Sequence, residues 1–306
     1  MVDLIVNYVN RDGKMSSYIW VLLVAVYAVC KGSREIFKKI ALKKNSVMEV
    51  LFLYVCLSFV MVLPYTKEAF QIQDWNYMYL ILIKSFVIFV AWICSFRALS
   101  KMPVSLYGVL DLSRILFSTL YGILLLSESI GFMHIVGLVL VSAGLLLLKF
   151  KPFSKKEKSS EKVDFKVVIT AFAGCGLTAL SGALDKILMR KGDLTSGQLQ
   201  FWYMLFLVIF YALYIIFTHT KIDYKSTLKN KWVYLMSLTL VIGDKALFVA
   251  NNDPECTVTL MTLIKQISCI VVILGGKFVF KEKRILYKLF CAGVIVCGII
   301  IAVLNT

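Results

Sequence analysis

Residues 75–99 read WNYMYLILIKSFVIFVAWICSFRAL, and residues 232–251 read WVYLMSLTLVIGDKALFVAN. Each is long and apolar enough to cross a bilayer, whose hydrocarbon core takes about 20 such residues. The two also share landmarks. Trp75-Asn76-Tyr77 answers Trp232-Val233-Tyr234, and Phe96-Arg97-Ala98 answers Phe248-Val249-Ala250. Working outward, Ser127-Glu128 answers Lys281-Glu282, and Gly144 answers Gly298. The spacings are 157, 152, 154 and 154 residues. A shared order with near-constant spacing is the mark of an internal duplication.

Extending the same reading along the chain gives apolar runs at 18–40, 46–63, 75–99, 103–126, 132–148, 167–189, 198–218, 232–251, 257–280 and 286–304. The expected fold class is therefore all-α integral membrane, with ten transmembrane helices as two five-helix repeats. An odd number of spans per repeat inverts one half relative to the other, an arrangement that suits a transporter with a central site. The expected organisation is a tail at 1–17, a first repeat at 18–148, a Lys-rich linker at 149–166 and a second repeat at 167–304. The linker, with Lys155-Lys156-Glu157-Lys158-Ser159-Ser160, has the composition of a solvated loop. Pro103 and Pro254 precede the fourth and ninth runs at matching places and read as helix starts.

Of the 306 residues, 60% are hydrophobic, which excludes an ordinary soluble domain. The net charge of +16 would suggest nucleic acid in a soluble protein; here Lys and Arg mark cytoplasmic loops. Eight cysteines lie in or beside the apolar runs without metal-type spacing, and the two histidines, His134 and His219, are too few for a metal site. No cofactor, metal or enzymatic activity is expected. The first run continues past Lys31 into Ile36-Phe37, so it is not expected to be a cleaved signal peptide.

With a Glu after the fourth helix of each half and a Gly-bearing fifth helix, residues 18–304 resemble the drug/metabolite transporter superfamily, EamA-like branch. The resemblance implies a permease for amino acids, nucleotide sugars, sugar phosphates or other small polar metabolites. It also implies that both termini lie in the cytoplasm. The charge distribution of this chain argues the reverse. Lys38, Lys39, Lys43, Lys44, Lys101, the seven lysines of 149–166, Lys221, Lys225, Lys229, Lys231, Lys277, Lys281, Lys283, Arg284 and Lys288 follow odd-numbered spans. The opposite side holds little beyond Arg11, Lys14, Lys67, Arg190 and Lys191, so the odd loops are expected inside and the termini outside.

Function is sought among charges buried in the runs, since each costs about 2.5–3.5 kcal/mol at mid-bilayer on the insertion scale. Arg34, Lys38, Arg97 and Lys186 lie near enough to span ends to snorkel. Lys31, Lys84, Arg114, Lys245 and Lys265 remain against Glu35, Asp111 and Asp244, with Gln266 as a neutral partner. Asp111 with Arg114, and Lys31 with Glu35, stand at helical spacing for mutual neutralisation. The cationic excess points to a hydrated cavity between spans three, four, eight and nine that takes an anionic or zwitterionic metabolite. Arg114 and Lys265 are its expected anion ligands, and Asp111 or Asp244 would receive an amino group or a coupling proton. Tyr107 lies one turn from Asp111. With Trp20, Trp92, Trp202 and Tyr203 it offers the rival reading of an aromatic cage for a quaternary amine. A lipid-modifying enzyme would need a catalytic cluster near one membrane surface, and none is visible in the sequence. The expected partners are the small-molecule substrate and the lipid bilayer of the cell membrane. A coupling proton and a second copy of the chain remain options, and nucleic acid is not among them.

Overall fold

The computed structural model describes residues 19–72, 74–126, 132–149, 163–192, 194–251, 264–265, 267–282 and 285–303. Among these residues every regular element is helical. In chain order the helices are α1 Ile19–Ala41, α2 Val47–Val62, α3 Thr66–Ala69, α4 Met78–Ser100, α5 Val104–Asp111, α6 Arg114–Leu126 and α7 Phe132–Lys149. After the Lys-rich segment come α8 Phe165–Lys191, α9 Ser196–Phe217, α10 Tyr224–Leu228, α11 Lys231–Asn251, α12 Ile267–Phe280 and α13 Ile285–Val303. Short polar signals set the ends. Ser46 with Glu49 forms a capping box at α2, and Thr195 with Gln198 forms another at α9. At the far end of α9, His219 takes a φ of 48°, and the Thr220 N–H bonds back to the Ile215 carbonyl at 3.2 Å. This left-handed closure ordinarily uses glycine.

Each of the ten apolar runs contributes helix among the described residues. Among the described residues, five helical stretches are long and apolar enough to cross a membrane: Val47–Ala69, Trp75–Ser100, Phe165–Met189, Ser196–Phe217 and Lys231–Ala250. Two runs differ from the expectation for physical reasons. The first, α1, has a span's length but carries Lys31, Arg34, Glu35, Lys38 and Lys39. The fourth is not one helix but two, α5 and α6, separated at Leu112-Ser113, where Leu112, Ser113 and Ile115 donate to carbonyls only three residues back. Of the ninth run, residues 257–263 and Gln266 lie outside the described residues, as do Pro254, Ser127, Glu128, the tail and most of the linker.

The most extensive helix contacts all join a helix before the Lys-rich segment to one after it. α1 packs on α11 and α12; α8 packs on α4 and α6; α2 packs on α9 and α11. α4 also meets α9, α5 meets α12, and α7 meets α13. The largest core lies where α2, α4, α9 and α11 meet, with Tyr54, Phe96, Met204, Leu207 and Tyr211 fully enclosed. Leu22, Phe86, Phe217, Phe278 and Leu286 face outward, as expected of a surface solvated by lipid. In such a medium helices associate by close packing more than by the hydrophobic effect, and small residues allow it. At the α1–α12 crossing, a Cβ on Gly32 would lie 2.7 Å from the Val271 Cβ and 2.9 Å from the Ser268 carbonyl oxygen.

Side-chain bonds tie the helix ends into two opposite rims. On one rim, Lys39 donates to the Leu99 and Met102 carbonyls at 2.7 and 2.8 Å, and Asn230 donates to Asn45 at 2.8 Å. The other rim joins Thr195 to Glu68, and Gln198 to the Gln71 carbonyl at 3.0 Å. Lys39, Lys43, Lys44, Lys101, Lys221, Lys225, Lys229, Lys281 and Lys288 all belong to the first rim. The charge asymmetry read along the sequence is therefore a spatial one.

On that basic rim, α5 begins at Pro103 without a cap of its own. Glu282, from the turn between α12 and α13, supplies one. It accepts from the Val104 N–H at 2.7 Å, the Ser105 N–H at 3.3 Å, the Ser105 hydroxyl and the Lys288 ammonium at 2.9 Å. Burial pushes the Glu282 carboxyl up, but the Ser105 and Lys288 hydrogen bonds, the Lys288 charge and the Val104 N–H outweigh it and hold it below the usual range.

Glu282→Ala leaves the Val104 N–H without its acceptor and Lys288 without its carboxylate, and costs about 2–3 kcal/mol in thermal unfolding in detergent. Because the folded carboxyl sits below its unfolded value, the wild-type advantage is full above the ordinary glutamate range. It fades as pH falls through the lowered folded value. Gly32→Ala overpacks α1 against α12 and costs about 1–3 kcal/mol. By contrast, Gly182→Ala, with nothing within 4 Å, is neutral or stabilising in the same melt.

Candidate functional site

The break in the fourth run sets the centre of the molecule. Asp111 closes α5 and Arg114 opens α6. Helix dipoles favour the opposite signs, a base at a C-terminus and an acid at an N-terminus. The two side chains compensate each other directly, with the Arg114 guanidinium 2.5 Å from the Asp111 carboxylate. Lys31 of α1 reaches the other carboxylate oxygen at 2.8 Å. One acid is thus shared by two bases, leaving a local excess of one positive charge, and Arg114 Nε is buried with no hydrogen-bond partner among the described residues. The expected pairing of Lys31 with Glu35 is not the one formed. Glu35 takes Lys38 instead, at 2.7 Å, and both are buried, so Lys38 does not snorkel. The reason is tertiary: the α1–α5 contact offers Lys31 a second helix's acid, whereas Lys38 lies over the Phe96 ring at 4.4 Å.

A small cavity opens on this cluster, lined by Lys31, Gly32, Glu35, Tyr107, Asp111 and Ser268 among others. At about 10 Å³ it has room for roughly one water. Its walls come from α1, α5 and α12, so the first helix belongs to the site. Spans three and eight meet the first and sixth elsewhere, in a second polar layer.

In that second layer Lys84 of α4 pairs with Asp185 of α8 at 2.8 Å and lies over the Tyr203 ring, 3.6 Å from its centroid. The Tyr203 hydroxyl donates to Asp244 of α11 at 2.9 Å. The other Asp244 oxygen faces Arg34 of α1 at 3.9 Å. Five helices contribute to this chain of contacts, which crosses between the two sequence halves three times. Lys245 stands apart, over the Tyr65 ring at 4.2 Å, towards the non-basic rim. Lys265 lies over the Tyr27 ring at 5.6 Å and within electrostatic reach of Asp185, and so joins the second layer rather than Arg114 alone. Gln266 lies outside the described residues. Tyr107 is fully enclosed beside the first cluster.

Arg34, Asp185 and Tyr203 emerge as site residues that sequence reasoning did not favour. Arg34 and Asp185 stand near the ends of the first and sixth apolar runs, which is why they read as snorkelling or terminal charges along the sequence. Gln200, fully buried on α9 one turn before Tyr203 with neither amide atom bonded, gave no such signal. The aromatic residues do not converge on one point. Trp202 packs among Phe70, Trp75, Phe201 and Phe206 and donates to the Ala69 carbonyl at 2.9 Å, while Trp92 packs on Tyr54. Among the described residues no group of three His, Cys, Asp or Glu could hold a metal, and the seven described cysteines are unbridged.

Apolar helices of spanning length, enclosing ionised side chains that are neutralised across the interface, define a multi-pass membrane protein. A model of the EamA-like transporter family matches residues 18–150, a likeness consistent with the drug/metabolite transporter superfamily. No curated protein matches the chain. Among the matching solved structures is one titled "Crystal structure of protein", 14% identical, with a TM-score of 0.59 over 93% of this chain and 97% of its own. That likeness concerns the fold alone.

The shared acid makes a sharp expectation. Asp111→Asn leaves Lys31 and Arg114 facing one another and costs about 3–5 kcal/mol in thermal unfolding, the cost of breaking a buried pair from one side. Lys245→Gln, which loses one ring contact, costs about 1 kcal/mol or less. Equal losses in the two variants would remove Asp111 from the centre of the network.

Proposed function

We propose that the chain is a permease of the cell membrane that moves a small anionic or zwitterionic metabolite by alternating access. Its ten helices would form two inverted five-helix repeats, with the solute bound at their interface. The contact pattern supports the repeat. Advancing each partner by five spans turns the α1–α11 contact into α8–α4, α1–α12 into α8–α6, and α2–α11 into α9–α4. The contacts α2–α9, α5–α12 and α7–α13 map onto themselves. A two-fold axis in the membrane plane produces such a set.

The observation that carries the substrate class is the Lys31–Asp111–Arg114 cluster at the helix break. Two cations share one carboxylate there, and a guanidinium N–H is left without an acceptor. An entering carboxylate or phosphate would satisfy that donor and balance the excess charge. The rings near the polar interface speak against an amine cage. Tyr203, Tyr65 and Tyr27 already face Lys84, Lys245 and Lys265. The small cavity fits a closed state, in which the solute enters only when the halves part. The basic rim would lie in the cytoplasm.

The test is uptake of radiolabelled glutamate, malate and glucose 6-phosphate into proteoliposomes. At least one is taken up, and Arg114→Gln with Lys265→Gln lowers its uptake at least about tenfold, the effect of losing some 1.4 kcal/mol of binding. Undiminished uptake by a folded double variant would overturn the anion site.

A further inference from the structure

The buried acids are not compensated alike. Asp111 has two bases within 2.8 Å, Glu35 has Lys38 at 2.7 Å and Asp185 has Lys84 at 2.8 Å. Among the described residues Asp244 has none that close: Arg34 stands 3.9 Å away, and its short contact is the neutral hydroxyl of Tyr203 at 2.9 Å. Of these four carboxylates, its charge is the least neutralised by direct contact.

Its surroundings are otherwise crowded with charge and titratable groups. α1 presents Arg34 and Cys30, α2 presents Tyr54, α4 presents Lys84, α8 presents Asp185 and α9 presents Tyr203. Asp185 is a like charge across the layer, and Lys84, which would offset both acids, is committed to Asp185. Asp244 also follows Gly243, where a Cβ would lie 3.2 Å from that of Cys30, so α1 and α11 cross closely beside it. The Arg34–Asp244 pair is therefore a link between one helix of each half.

From this geometry we infer that Asp244 is the proton-binding residue of the transport cycle, and that its protonation releases Arg34 and with it the α1–α11 contact. The step is a simple protonation. A proton from water forms an O–H bond on the Asp244 carboxylate, and no other covalent bond changes. Arg34 keeps its own proton and loses its counter-ion. The interior then carries one more net positive charge, which favours an anion entering beside it. By linkage, a bound anion favours the proton equally. This inference rests on the transport reading for its meaning, but proton binding at Asp244 is measurable without any solute.

The experiment is an infrared pH titration of the detergent-purified full chain, following the carboxyl C=O band that appears on acidification. Asp244→Asn removes one such band, whereas Asp111→Asn leaves it. Tyr203→Phe withdraws the one short hydrogen bond to the charged form, and so moves the midpoint of that band up by about one to two pH units. An unchanged band in Asp244→Asn, or an unmoved midpoint in Tyr203→Phe, would overturn the inference. The second variant decides the matter if the first does not fold. Either result stands whether or not the proteoliposomes take up solute, so failure of this site and failure of the transport reading are told apart.

Discussion

An ionised side chain inside a bilayer must find an opposite charge, a bound solute or water, because the hydrocarbon offers nothing else. Much of this molecule answers to that constraint. Of the four acids Glu35, Asp111, Asp185 and Asp244 in the interior network, each faces a base, and in three of the four cases that base belongs to another helix. Lys31 reaches Asp111 across α1 and α5, Lys84 reaches Asp185 across α4 and α8, and Arg34 faces Asp244 across α1 and α11. Two of these contacts join sequence halves. The polar network thus fixes how the halves sit together, in a solvent that supplies little hydrophobic drive for them to do so.

The broken fourth run follows the same logic. A continuous helix would have carried Asp111 and Arg114 past one another on a single face, as a self-contained pair. The break at Leu112-Ser113 gives each its own helix end, against the dipoles, and opens the carboxylate to Lys31 as well. Such breaks leave backbone groups in need of partners, and here tight three-residue bonds supply some of them. Glu282 does comparable work at the basic rim, where an acid from one half caps a helix of the other. Both devices place strong, directional interactions where a rearrangement of the halves would have to break them.

Much of the fold was legible along the chain. Helical runs are set by apolar length and by local caps such as Ser46 with Glu49, and both are properties of adjacent residues. The same is true of the basic rim, because loops alternate between two ends once the helices are placed. The site was legible in its membership and not in its pairing. Lys31, Glu35, Lys84, Asp111, Arg114 and Asp244 stand out as charges in apolar runs. The i,i+4 spacing of Lys31 and Glu35, however, suggested a partnership that a nearer acid on another helix displaced.

Sequence by itself determined that this chain is helical, apolar and asymmetric in charge, with ionised residues inside its apolar runs. These are read from composition and periodicity, which do not depend on what lies alongside. Tertiary structure alone decided that Arg34, Asp185 and Tyr203 join the interior network, that Lys38 is buried, and that Glu282 caps α5. The partners of those residues lie tens to hundreds of positions away, and only the crossing of α1 with α11, of α4 with α8, and of α5 with the turn after α12 brings them within reach.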